Sequence, residues 1–318
     1  MIKALTLSAL VTLGSGMAVR SVADTPPAPA YLASETLSRQ SMVLEVSVAG
    51  QSGEATIDTG ATLAVVDAAL VPHIDPNGID QSVSVIGIGG RRDYKMVDLP
   101  SLVVGGIEIG PLRAALNTSK RFPGPKTVIP TRAFAGRTVD IDFRSGALKT
   151  YDTDPARVRR AFTCRMPYDE IAGLPFVDIS LNGRQAKALI DTGAEVSLIN
   201  PALAMAARTR LVEGVTRRLF GADLQPGMAS VRRARKMFVG RHQFEDFLIV
   251  STPSSFFEEV GLGDQPVMIM GRDMLKNFRI QIDRAKGTVN FVRPLRPGEP
   301  SPILTGYPRV VGLRSKCF

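Results

Sequence analysis

The strongest constraint on this 318-residue chain is a repeat. The stretch EVSVAGQSGEATIDTGATLAVVD, residues 45–67, lies without a gap over DISLNGRQAKALIDTGAEVSLIN, residues 178–200, at an offset of 133. Val46 meets Ile179, Val48 meets Leu181, Gly50 meets Gly183 and Ile57 meets Ile190. The triplets Asp58-Thr59-Gly60 and Asp191-Thr192-Gly193 coincide. Each copy reads as a strand of alternating apolar residues, a hairpin turn with glycine, and a second strand running into the acid. A second matched pair closes each unit: VIPTRAFAGRTVDIDFRSGAL (128–148) against IMGRDMLKNFRIQIDRAKGTV (269–289), at an offset of 141. The difference of the two offsets makes the second copy eight residues longer between its ends. Surface loops or a flap tolerate such insertions.

A duplicated unit of this kind predicts a mainly β chain, with two similar lobes related by a pseudo-twofold axis and few short helices. The expected organisation is a signal peptide at 1–23, a Pro-rich linker at 24–35, a first lobe at 36–152, a connector at 153–167, a second lobe at 168–295 and a C-terminal tail at 296–318. The signal rests on Lys3, an apolar stretch from Ala4 to about Val19, and the small-x-small run Ser21, Val22, Ala23. Export to the periplasm follows, with an uncleaved anchor as the weaker option. Gly14 and Gly16 interrupt the apolar stretch, so no stable membrane span is expected after cleavage. One helix is expected from Pro201, capped by Asn200, through Leu211, and a shorter one after Gly271.

Composition narrows the function classes. With 44% hydrophobic and 22% charged residues, the bulk of the chain is neither disordered nor a membrane bundle. The net charge of +9 is scattered, and its densest cluster (Arg232, Arg233, Arg235, Lys236) lacks interleaved aromatics. That cluster reads as a solvated face, so no nucleic-acid partner is expected. Cys164 and Cys317 are the only cysteines; they form either a bridge or two separate thiols, and spacing does not decide. His73 and His242, the only histidines, read as surface or packing residues, so no metal and no cofactor are expected.

What remains is the pair of Asp-Thr-Gly turns. Loops near a pseudo-twofold axis meet their own equivalents, so Asp58 and Asp191 can face each other. Two carboxylates held that close share a proton. The charged member takes a proton from water while the neutral one donates to a carbonyl. Thr59 and Thr192 offer hydroxyls that bond across the axis, and Gly60 and Gly193 allow close backbone approach.

Two copies of apolar-apolar-Asp-Thr-Gly-Ala, each followed by an apolar-apolar segment that ends in Gly271 in the second copy, resemble the aspartic proteases. The lobes are similar in size to retropepsin-like units, in a single-chain, duplicated arrangement of bacterial type. The resemblance implies two β-barrel lobes, a substrate cleft between them and hydrolysis of peptide bonds, with catalytic Asp58 and Asp191 supported by Thr59, Gly60, Thr192 and Gly193. It implies a polypeptide substrate and a monomer acting as a fused pseudo-dimer. SVIGIGGRRDYKMVDL (84–99) is similar to a flap, with Gly87, Ile88, Gly89 and Gly90 at its substrate-binding tip. RRLFGADLQPGMASVRR (217–233) resembles a flap less well.

Two departures stand out. Pro130 occupies the place of Gly271, and its fixed φ and missing N–H imply altered geometry under the first loop. Thr62 stands opposite Glu195, which is expected to face solvent, the weaker option being an acid near the dyad that biases its protonation. The alternative to a peptidase is a peptide-binding module that kept the fold and lost turnover.

Overall fold

The computed structural model describes residues 42–294 and the backbone of two short strands, Lys3–Leu5 and Val310–Leu313. The signal-peptide, linker and tail expectations fall outside these residues, apart from those two strands. No helix among the described residues is long and apolar enough to cross a membrane.

The chain is mainly β, and both copies of the repeat fold alike. In the first, Val43–Val48 and Gln51–Asp58 form an antiparallel hairpin. In the second, Leu174–Leu181 and Arg184–Ile190 do the same. Both turns place two successive residues at positive φ: Ala49 (46°) with Gly50 (84°), and Asn182 (49°) with Gly183 (85°). This is the tight turn whose twist matches that of the strands it joins. Burial rises along Gln51–Asp58 from an exposed turn end to four buried residues at the acid. The apolar run before each acid is therefore lobe core: Ala55 and Ile57 in one, Ala188 and Ile190 in the other.

Each acid-bearing strand has a parallel neighbour on its other side, Thr127–Pro130 in the first lobe and Val267–Met270 in the second. These in turn pair antiparallel with the strands that follow the Asp-Thr-Gly loops, Ala64–Asp67 and Leu198–Ile199. Each loop is thus held between strands on both sides. Most of the eight extra residues of the second copy lie between Ser251 and Val267, where Ser255–Glu259 forms a helix absent from the matching first-lobe segment.

The lobes meet in a third sheet of five strands, ordered Ala147–Tyr151, Thr138–Asp142, Arg279–Asp283, Thr288–Pro294 and Ala161–Pro167. At its centre Asp140 pairs with Gln281, its own equivalent at the 141 offset. The pseudo-twofold axis passes between them. Two Arg–Asp forks clamp the seam: Arg279 donates to both oxygens of Asp140 at 2.6 Å, and Arg137 to both of Asp283 at 2.9 Å. Cys164, on the last strand of this sheet, is disulfide-bonded; Cys317 lies outside the described residues.

One expected element is shorter than its pattern. The helix is capped by Asn200, whose side chain accepts from Leu203 N, but it spans only Pro201–Ala206. Arg208 takes a positive φ of 47°, which ends the helix, and Arg210 and Leu211 begin a strand instead. The helix after Gly271 forms as Arg272–Leu275.

Candidate active site

The two Asp-Thr-Gly loops grip each other reciprocally. Thr59 N donates to Thr192 Oγ1 at 3.0 Å, and Thr192 N donates to Thr59 Oγ1 at 3.0 Å. Each hydroxyl then donates to the carbonyl before the opposite acid, Thr59 to Ile190 O at 2.6 Å and Thr192 to Ile57 O at 2.7 Å. Four hydrogen bonds thus cross the axis within a buried patch, each contributing about 1 kcal/mol.

The grip brings the acids together. A Cβ added to Gly60 would lie 2.5 Å from the Asp191 carboxyl carbon, and one added to Gly193 would overlap the Asp58 carboxyl. The glycines are therefore needed for close approach. Asp58 Oδ1 accepts from Gly60 N at 2.6 Å, and Asp191 Oδ1 accepts from Gly193 N at 2.9 Å and Ala194 N at 2.8 Å. Both acids are 0% exposed. Burial, and then the charge of Asp58, raise Asp191 well above the usual carboxyl range, against the pull of the Ala194 and Gly193 N–H groups. Among the described residues no donor reaches Asp191 Oδ2, while the two carboxyls lie within hydrogen-bonding reach of each other. A single proton held between them would satisfy that oxygen, and would belong to the pair rather than to either residue.

Beneath the loops the lobes differ. Gly271 N donates to Ser197 Oγ at 3.0 Å, and that hydroxyl donates to Asp273 Oδ1 at 2.5 Å. A Cβ on Gly271 would lie 2.7 Å from Val196 C and O. The first lobe carries Ala64, Pro130 and Arg132 at the three matching places. Proline has no N–H to donate there, and alanine has no hydroxyl that would want one. Pro130 is buried, sits at φ −66° and pairs in register with Asp58 at the end of its strand. The missing N–H of the proline and the missing hydroxyl of the alanine leave no unmet partner at these two places.

Glu195 does not face solvent as expected. It is 8% exposed, and the buried Arg272 guanidinium interacts electrostatically first with Glu195 and then with Asp191 and Asp58. Pairing explains why a charge survives burial there. Thr62 and Thr131 stand at the matching first-lobe positions. Arg272 carried a signal in the sequence, since it follows Gly271 directly, but was not singled out.

Gly87, Ile88, Gly89 and Gly90 form the tip between strands Ser82–Ile86 and Arg91–Leu99. The second lobe has a longer hairpin, Arg210–Phe220 and Pro226–Val239, and its tip meets the first. Gly89 N and Gly90 N both donate to Asp223 Oδ2, at 2.7 and 2.6 Å. The weaker flap resemblance of 217–233 concealed this role. Among the described residues no group of three or more His, Cys, Asp or Glu side chains could hold a metal ion.

The sequence has relatives. DNA damage-inducible protein 1 of Chaetomium globosum is 31% identical over 113 residues, covering 35% of this chain and 23% of that protein. The protein of the same name from Neurospora crassa is 31% identical over 116 residues, covering 36% and 24%. The chain spans about a quarter of the length of these curated relatives. The aspartyl protease family model matches twice, at 44–129 and 177–274, once around each Asp-Thr-Gly loop. Two matches that together take in more than half of the chain, on two lobes that present facing acids, establish that this chain belongs to the aspartyl protease family.

Proposed function

We propose that the chain is an aspartic endopeptidase in which Asp58 and Asp191 activate a water between the two lobes. The observation that carries this reading is the facing pair of buried carboxyls, each pressed against the glycine of the opposite loop. The ionised acid takes a proton from water as its oxygen attacks the peptide carbonyl, and the protonated acid donates to the carbonyl oxygen. The tetrahedral intermediate collapses when a proton passes to the amide nitrogen and the C–N bond breaks. Thr59 and Thr192 keep the loops from shifting, and Gly60 and Gly193 leave room for the pair. Gly87, Ile88, Gly89 and Gly90 close over the substrate. One chain supplies both acids, so the active unit is a monomer. The leader-like pattern at 1–23 supports export to the periplasm.

A second reading, a peptide-binding module without turnover, is favoured by one observation: neither acid is exposed while the hairpin tips are joined. The test is cleavage of a peptide library by the purified full-length and leader-free chains at mildly acid pH. Asp58→Asn and Asp191→Asn should each lower the rate by about 10²–10⁴-fold with the fold intact. Equal residual cleavage by wild type and both variants sinks the peptidase, and binding without cleavage by the wild type selects the second reading.

A further inference from the structure

The two hairpin tips are chemically unlike. The first is Gly-Ile-Gly-Gly, and Gly87 N donates to Gly90 O at 2.9 Å, which closes the turn and leaves Gly89 N and Gly90 N directed outward. The second carries Asp223, 1% exposed, whose Oδ2 accepts both of those N–H groups while Oδ1 accepts from Gln225 N at 3.0 Å. A buried carboxylate is costly unless hydrogen bonds satisfy it, and two of these three come from the opposite lobe.

Other second-lobe groups hold the same tip. Ser254 Oγ donates to Ile88 O at 2.8 Å, Gln225 Nε2 donates to Arg91 O at 2.8 Å, and Arg91 pairs with Glu259. Ile88 belongs to one buried apolar cluster with Leu174, Phe176 and Phe256 of the second lobe. In return Ala222, with Leu224 packed against it, joins a buried apolar cluster that holds Val83 and Val85 of the first. The glycines fit this contact closely: a Cβ on Gly87 would lie 2.7 Å from the Asp223 carboxyl, and one on Gly89 would overlap Gln225 O.

We propose that Asp223 is a positioning residue that latches the first-lobe flap shut, so that the cleft opens only when its bonds to Gly89 and Gly90 break. The duplication has let the two tips specialise, one as N–H donor and the other as carboxylate acceptor. The role in substrate admission rests on the peptidase reading above, whereas the latch does not. Apolar packing of Ile88 aligns the tip, and the carboxylate sets how long it stays.

Hydrogen–deuterium exchange on the full chain, wild type against Asp223→Ala, tests the latch without any need for turnover. Exchange across 84–92 should rise by about tenfold or more, while the loops at 55–60 and 188–194 exchange as in the wild type. Asp223→Asn, whose amide oxygen still accepts, should fall between the two. Unchanged exchange at 84–92 overturns the latch, and so does a rise shared equally by the two acid loops, which would mark Asp223 as a general brace. Absence of cleavage by the wild type would overturn the peptidase reading without altering this exchange pattern.

Discussion

The undersides of the two Asp-Thr-Gly loops solve one packing problem in two ways. In the second lobe a polar chain runs from Gly271 N through Ser197 Oγ to Asp273, with the Arg272 guanidinium beside Glu195. In the first lobe the corresponding residues are Pro130, Ala64, Arg132, Thr131 and Thr62. One support runs through a buried hydrogen-bond chain, which the other replaces with Pro130 and Ala64. Yet the loops above them present matching acids and a reciprocal threonine grip. The geometry of the loops therefore depends on the backbone sandwich and the grip, and the support beneath can be exchanged if donor and acceptor go together.

The largest expected separation is in pH. Burial raises both Asp191 and Asp273 in the second lobe. A raised group contributes stability that is present below the ordinary carboxyl range and lost as pH rises through its folded pKa. The seam between the lobes behaves in the opposite sense. Burial works against ionised Asp140, but bonds from Arg279 and Gln281 hold it below the usual range, and the Arg137 fork does the same for Asp283. Their contribution is present above that range and lost as pH falls. Urea unfolding from acid to neutral pH should therefore show a maximum at mildly acid pH. Asp191→Asn should lift the neutral limb, and Asp140→Asn should remove part of the fall on the acid limb. A wild-type stability that rises steadily to neutral pH would refute the shared-proton account of the dyad.

Next in size is the backbone contact. Gly271→Ala pushes a methyl against Val196 C and O, main-chain atoms that cannot rotate away. It should cost about 1–3 kcal/mol in urea unfolding. Pro130→Ala, at an ordinary extended φ, should cost about 0.4–1 kcal/mol through unfolded-chain entropy. Equal losses would mean that the two lobes are supported alike.

Much of this was legible in the sequence because repetition and periodicity are local. The ungapped alignment of 45–67 with 178–200 locates the hairpins, the acids and the paired threonines. The Asn200–Pro201 start is local too, whereas the helix end was misplaced because Ala202–Leu211 has helical composition and Arg208 terminates it by backbone conformation alone. The Glu195 expectation failed for a different reason. An acid reads as solvent-facing until the partner that permits its burial is known, and Arg272 lies far along the chain. Asp223 was concealed in the same way, since its partners are backbone N–H groups of the other lobe, which leave no side-chain signature.

The smallest effect is a coupling energy that tests the exchange rule itself. Ser197→Ala removes an acceptor from Gly271 N and a donor to Asp273, both in buried surroundings, and should cost about 1–3 kcal/mol. Converting only half of the pair leaves the other half unmet. The reverse change, Ala64→Ser, places a hydroxyl where Pro130 has no N–H to offer, and should stabilise nothing. The combination Ala64→Ser with Pro130→Gly should therefore be less harmful than the sum of its two single changes, by a few tenths of a kcal/mol to about 1 kcal/mol. Thermal or urea unfolding of the four proteins gives this coupling directly. A coupling of zero would show that Pro130 and Ala64 were replaced independently, and that the two are not a matched pair.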